Sequence, residues 1–355
     1  MISRWLSSHS HIVSKVRPVV YGLGIILLLT IPLLIKSPFI LHAIVLILIY
    51  IPLVLSVNLI TGFTGMLTMG NAAFYGVGAY TSVLLMMRLD LSWPVAFLGA
   101  GIVAALFGVV VGVPCLRVGG DYITLMTIGF NVILFSVATN WTEMTRGPMG
   151  IPGVPPASIG PITFNTLLEQ YYLFLVIVAL CVLFMVRLTR SHIGRALLAI
   201  REDEIAASTL GVNLEFHKVL AFTCGALWAG FAGSMLAHSL TFVGPQSFTI
   251  DESINQLQMA ILGGLGSIPG SIIGATIMVS IPQVFQDIYK YRMLINGILL
   301  LVLMAVRPQG IMGASALARS TSSDIIRVIR TIFKRPGIKR ESALDQQQLP
   351  GEPLV

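Results

Sequence analysis

Nine of the chain's 37 charged side chains fall in one short interval: Arg187, Arg190, Arg195, Arg201, Glu202, Asp203, Glu204, Glu215 and Lys218. Long apolar runs flank it on both sides. The residue types suit docking rather than bond-making. Ala196–Leu210 reads as a short helix, because Ala and Leu are strong helix formers, and Gly211 fits a helix stop. Glu202, Asp203 and Glu204 followed by Ala206 and Ala207 make one small, acidic turn. Such a turn can sit in the groove of a soluble partner and pass on its motion. The candidate coupling residues are therefore Gly194, Arg195, Arg201, Glu202, Asp203, Glu204, Ala206, Ala207 and Gly211. A solvated charged loop is the plainer reading of the same residues.

A second kind of chemistry is offered by backbone. Gly62-Phe-Thr-Gly-Met-Leu-Thr-Met-Gly70 and Gly263-Gly-Leu-Gly-Ser-Ile-Pro-Gly270 interrupt apolar runs with glycines at 62, 65 and 70 against 263, 266 and 270. Paired interruptions in the two halves of a membrane chain point to a solute route, since irregular backbone at membrane depth must be buried in protein or line a wet cavity. Gly62, Gly65, Thr68, Asn71, Gly263, Gly264, Gly266 and Ser267 are the candidate pathway residues. Close helix packing through small residues explains the same glycines equally well.

Several chemistries are missing. No Gly-x-x-x-x-Gly-Lys-[Ser/Thr] occurs, so the chain has no P-loop to cradle ATP. No His-Glu-x-x-His or Cys-x-x-Cys appears, and Cys115, Cys181 and Cys224 stand singly in apolar segments without pairing or metal spacing. The reading contains no catalytic residue, metal site or cofactor. His42 and His238 lie near span ends, where an interfacial position is expected. Ion-coupled carriers commonly place Asp or Glu inside spans. Here every acid maps to a loop or span end, Asp121 at a span junction included, so energy is expected from another chain.

These residues sit in a strongly apolar frame of 355 residues, 55% hydrophobic and 10% charged, with mean hydropathy +0.89. Soluble domains carry about 25% charged residues, which excludes a soluble protein. The expected fold is an all-α integral membrane protein, a polytopic helical bundle of about 8–10 membrane segments with glycine-broken or re-entrant elements. Spans are predicted near residues 19–35, 39–60, 66–87, 93–115, 122–140, 171–186, 219–241 and 293–306, the first retained rather than cleaved. Residues 1–18 form a cytoplasmic segment, 19–313 the membrane domain with its loop at 187–218, and 314–355 a basic, partly disordered tail.

The net charge of +7 is a topology signal rather than a nucleic-acid footprint. Residues 307–340 carry eight basic side chains against one acid, Asp324, and basic residues just beyond a span mark the cytoplasmic side. Both termini and the 187–218 loop are expected there. A single crossing at 253–286 would place the tail outside, so that stretch must either dip and return or form two tightly joined spans. Trp141–Glu169 reads as an ordered, turn-rich external loop, and 323–334 as an amphipathic helix on the membrane surface.

Arg195-Ala-Leu-Leu-Ala-Ile-Arg-Glu-Asp-Glu-Ile-Ala-Ala207, ending at Gly211, resembles the coupling loop of the LivM-type permease of branched-chain amino-acid ABC importers. Ala72-Ala-Phe-x-Gly-x-Gly-Ala-Tyr80, Gly120-Asp-Tyr122, Gly147-Pro-x-Gly-Ile151, Gly263–Gly270 and Arg307-Pro-Gln-Gly310 match the same family in order, over roughly residues 40–313. The resemblance implies a non-enzymatic permease in a bacterial-type inner membrane. It implies a second, H-type permease, two ATP-binding subunits and an external solute-binding protein as partners. Glu202–Gly211 would dock on the ATPase. Two positions depart from the pattern: Asn71 stands where a histidine is common, and Asn131-Val-Ile-Leu-Phe135 where relatives carry Gly-Glu-Ile-x-Arg. Permeases for urea or amides remain an alternative, as does, from the residues alone, an autonomous carrier or channel.

Overall fold

The computed structural model describes residues 37–115, 120, 122–160, 162–284, 297–298 and 310–312, with isolated positions at 30, 32 and 301. The predicted spans at 19–35 and 293–306 lie outside the described residues except at positions 30, 32, 297, 298 and 301. Asp121, the surface helix at 323–334 and the terminal segments lie outside them altogether.

Six helical stretches are long and apolar enough to cross a membrane among the described residues. They are α1 (Pro38–Val57, continued by a π-helical turn at Asn58–Phe63), α2 (Asn71–Leu89), α3 (Trp93–Cys115), α4 (Tyr122–Asn140), α5 (Leu167–Arg190) and, after two short helices α6 (His192–Glu202) and α7 (Glu204–Thr209), α8 (Leu214–Leu240). Each coincides with a predicted span. The second, α2, begins at Asn71 instead of near 66, because Gly65–Gly70 is not helical. Helix ends follow local chemistry. Pro38 occupies the first turn of α1, where its missing N–H is harmless. Thr166 and Glu169 close a capping box at the start of α5, and Arg187 and Arg190 sit in its last turn, against the negative end of the helix dipole.

The stretch at 253–286 resolves into two antiparallel helices, α9 (Ile250–Gly263) and α10 (Ile268–Val284), joined by a short turn. At 1.5 Å per residue, 14-residue α9 is about 21 Å long, short of a ~30 Å hydrocarbon core. The pair packs backbone to backbone: a Cβ at Gly263 would lie 2.1 Å from Gly270 O, and one at Gly270 would lie 2.4 Å from Gly263 O. Only glycine fits at that crossing. Residues 310–312 return to the same turn, where Ile311 N donates to Leu262 O (3.0 Å) and Met312 N to Gly263 O (2.9 Å). Those carbonyls end α9 and would otherwise have no partner.

The core lies where α8 crosses α2 and α3, with Ala100, Ala104, Gly230 and Gly233 permitting close approach. Phe222, Ala229, Ala232 and Met235 of α8 are buried there. The turn-rich loop after α4 carries strands β1 (Ile151–Pro152), β2 (Ser158–Ile159) and β3 (Ile162–Thr163). β2 and β3 form a hairpin, and β1 pairs antiparallel with β4 (Phe242–Val243), just after α8. This end of the bundle is opposite to the one carrying α6 and α7.

Candidate coupling and translocation site

The polar interval folds as two short helices rather than one. Ser191 caps α6 by accepting from Ile193 N (3.1 Å) and Gly194 N (3.4 Å). Leu197 and Ile200 bury one face of α6 against the bundle, with Gly194 buried beneath the turn, while Arg195 and Glu202 stay exposed. Asp203 then breaks the helix. Its extended backbone ends α6, and its carboxylate accepts from Ile205 N (2.8 Å) and Ala206 N (3.0 Å) to start α7. Short polar side chains favour this position because they satisfy the first free N–H groups of a helix.

Within α7, Ala207 is buried and Ala206 exposed. Glu204 forms an ion pair with Lys218 of α8 at 2.7 Å; Lys218 is buried and Glu204 about half exposed (47%). Gly211 ends the unit at φ 82°, with Val212 N donating to Ala207 O (3.1 Å). Two of the interval's four acids, Asp203 and Glu204, thus shape α7 itself. Among its exposed residues, α7 and its C-cap present two large apolar side chains to solvent: Ile205 is 78% exposed and Leu210 82%.

Arg201 ties this unit to the first glycine break. Its guanidinium donates to Gly62 O, and its stem lies 3.3 Å from where a Cβ on Gly65 would stand. Gly62 belongs to the π-helical turn Asn58–Phe63, a geometry that recurs at functional sites. The widened turn aims Asn58 at the second break: Asn58 Oδ1 accepts from Gly266 N (2.7 Å), and Asn58 Nδ2 donates to Ser267 O (3.1 Å) and Ser271 Oγ (2.8 Å). A Cβ on Gly62 would stand 1.9 Å from Asn58 Oδ1 and 2.5 Å from Gly266 N. The two glycine breaks are therefore in contact through Gly62, Asn58 and Gly266, and Arg201 holds the same turn from the other side. Gly264 packs under Gly310, and Ser267 is buried.

Beyond Gly65 the chain runs as irregular backbone alongside α4. Thr124 Oγ1 donates to Leu67 O (3.1 Å), and Met69 N donates to Thr127 Oγ1 (3.1 Å). Thr68 is buried. The segment ends in a buried amide cluster. Asn71 Oδ1 accepts from Ser56 Oγ (3.0 Å), and Asn71 Nδ2 donates to Gln256 Oε1 (2.6 Å). Gln256 Nε2 donates to Glu252 Oε1 (3.3 Å). Ser253 Oγ accepts from Ala72 N (2.9 Å) and from Asn131 Nδ2 (3.2 Å). Asn131 is the central residue of α4, so this contact sets Ser253, in the first turn of α9, beside the middle of that helix.

The candidate pathway residues thus meet in one region, whereas Arg195 and Glu202 remain on the solvent side of α6. Asn58, Ser56, Ser253, Gln256 and Asn131 were missing from the sequence-derived set. Amides and hydroxyls inside apolar runs were the available signal, because such groups seek partners across helices. His238 differs from its expected interfacial place. It is 1% exposed, with Nδ1 2.7 Å from Pro155 O and Nε2 2.7 Å from Ser82 Oγ. The Pro155 loop folds back over the end of α8, so a residue near the span end becomes interior.

Comparison with known proteins identifies the family. Residues 39–305 match the family described as "Branched-chain amino acid transport system / permease component". The chain is 38% identical to the high-affinity branched-chain amino acid transport system permease protein LivM of Salmonella typhimurium and 36% identical to LivM of Escherichia coli, each over 74% of this chain and 68% of the relative. It is 27% identical to the permease protein LivH of Salmonella typhimurium, over 74% of this chain and 91% of the relative. No solved structure matches the chain significantly. The match spans both glycine breaks, the Arg201 contact and the amide cluster, and the chain belongs to the family of permease components of branched-chain amino acid transport systems.

Proposed function

We propose that this chain is one permease subunit of an ATP-driven importer of branched-chain amino acids, working beside a second permease of the LivH kind. One of two ATP-binding subunits docks on α6 and α7, and an external solute-binding protein delivers solute to the end that carries β1–β4. In this reading both termini and the α6–α7 unit are cytoplasmic. Ile205 and Leu210 seat in the ATP-binding subunit, with Glu202 and Glu204 at the rim.

The observation that carries the reading is the Arg201 contact. A displacement of α6 by a docked partner pulls on Gly62 O and Gly65, and through Asn58 on the α9–α10 turn. Motion at the docking helix is thereby delivered to the two non-helical breaks. Such breaks can change shape more easily than a hydrogen-bonded helix, which is what alternating access requires. The test is uptake in proteoliposomes holding this chain, its permease partner, the ATP-binding subunits and the binding protein. Leucine, isoleucine and valine should accumulate only with ATP and binding protein present. Equal uptake without ATP would refute the coupling.

A further inference from the structure

Between α8 and α9 the chain forms a short strap, Thr241–Thr249, whose outer side is exposed at Thr241, Phe242 and Gln246. The loop after α4 holds that side: Ile151 pairs with Val243, and Gln246 Nε2 donates to Pro148 O (3.1 Å). On the inner side a 3-10 turn over Pro245–Phe248 ends in a buried ring, Phe248. It lies on Tyr75, Gly76 and Tyr80 of α2. The Tyr75 ring meets it edge-on at 5.2 Å, and the Tyr80 ring is 5.9 Å away. A Cβ on Gly76 would stand 2.9 Å from Phe248 Cγ, so the missing side chain makes the seat that the ring fills. Tyr80 is the central residue of α2. The strap therefore carries an aromatic ring from an exposed loop to the middle of a span.

The strap is built to pivot. Thr241 begins it at φ 53°, a region that β-branched residues rarely adopt, and residues held in such strain cluster at switch regions. Thr249 ends it and starts α9 without a side-chain cap hydrogen bond, so movement there breaks no cap. The hydroxyls of Tyr75 and Tyr80 are buried without a hydrogen-bond partner among the described residues, although buried polar groups are nearly always paired. Water or a polar solute would satisfy them once the ring withdrew. Helix α9 connects the ring to the candidate route. Its N-terminus follows the strap, its C-terminus is the second glycine break, and Ser253 and Gln256 lie buried between them.

We propose that Phe248 is the gate of the solute route at the β1–β4 end: seated on Gly76 it closes the route, and withdrawn with the strap it opens a passage lined by Tyr75 and Tyr80. Alternating access needs a closure at each end, and the pinned glycine breaks supply the other. The assignment rests on reading the chain as an ATP-driven permease.

The test is a reversible lock in the complete importer in proteoliposomes, with Cys115, Cys181 and Cys224 replaced. A Cβ on Gly76 would lie 3.2 Å from Phe248 Cβ, near the ~3.8 Å that a disulfide prefers. Gly76→Cys with Phe248→Cys should therefore cross-link under copper phenanthroline. Leucine uptake should be lost on oxidation and return with dithiothreitol. Undiminished uptake by the cross-linked importer would make Phe248 a static core residue, and no cross-link in any nucleotide state would remove the seat. A second variant keeps both native residues. Tyr80→Cys in the same cysteine-free background should react with a membrane-impermeant thiol reagent in one nucleotide state and be shielded in another. Should the double variant fail to assemble, this measurement decides, and a Tyr80→Cys that is inert or equally reactive in every state overturns the passage. Uptake by the cysteine-free chain is read in the same vesicles. If it is ATP-driven while the lock has no effect, the gate alone falls; if it needs no ATP, the permease reading itself falls.

Discussion

Replacing Asn58 by leucine tests whether the two glycine breaks are pinned together. Asn58 is 1% exposed and makes three hydrogen bonds to the α9–α10 turn, at 2.7, 3.1 and 2.8 Å. Side-chain hydrogen bonds between membrane helices average ~0.6 kcal/mol, and buried ones in soluble proteins about 1 kcal/mol. Three such bonds give a loss of about 2–3 kcal/mol for Asn58→Leu, since leucine fills a similar volume and leaves Gly266 N–H without its acceptor. Ser271 supplies the control. Its hydroxyl accepts from Asn58 and donates to Ser267 O at 3.1 Å, so Ser271→Ala removes two bonds in the original chain and only one in the Asn58→Leu background. The two substitutions should therefore be non-additive by about 0.6–1 kcal/mol. Equilibrium unfolding of the purified chain in mixed micelles, followed by tryptophan fluorescence, measures all four corners of the cycle. Additivity within about 0.3 kcal/mol would show that Asn58 does not hold the turn.

Four further outcomes are expected. Ile205→Asp with Leu210→Asp should leave insertion unchanged but abolish co-purification with the ATP-binding subunit, because α7 presents those two side chains to solvent; undiminished co-purification would move the docking surface elsewhere. Glu204→Arg should destabilise by about 1–3 kcal/mol, a buried-pair loss discounted for the half-exposed carboxylate, whereas Lys218→Met should be near neutral; thermal melts of the two variants separate these results. With Cys115, Cys181 and Cys224 replaced, cysteines at Thr68 or Ser267, both buried here, should react with a water-soluble thiol reagent in only one nucleotide state, and inertness in every state would make the breaks packing glycines. A reporter active only in the cytoplasm should work when fused within 190–215 or after Arg307 and fail near Pro155, and activity at Pro155 would reverse the span order.

Much of this was legible in the sequence because apolar length alone decides which segments can cross a bilayer. All six long helices follow from uninterrupted apolar runs, and the helix interruptions follow from clustered glycine. The charged interval was equally plain, since nine charges between long apolar runs must lie where water or a partner can reach them. Its inner division was not. That Asp203 splits the interval into α6 and α7, and that Glu204 turns back to Lys218, depends on how α8 packs beside it.

The sequence by itself determined the class of the molecule, the order of its spans and the two places where helix must fail, because these rest on local hydrophobicity and on residues that tolerate irregular backbone. Only the tertiary structure decided that the two failures touch. Residues 62 and 266 lie 204 positions apart, and nothing in either glycine motif names Asn58 as the link or Arg201 as the clamp. Pairing of buried polar groups is a three-dimensional requirement: each amide in an apolar run must find a partner, but which partner depends on how the helices cross.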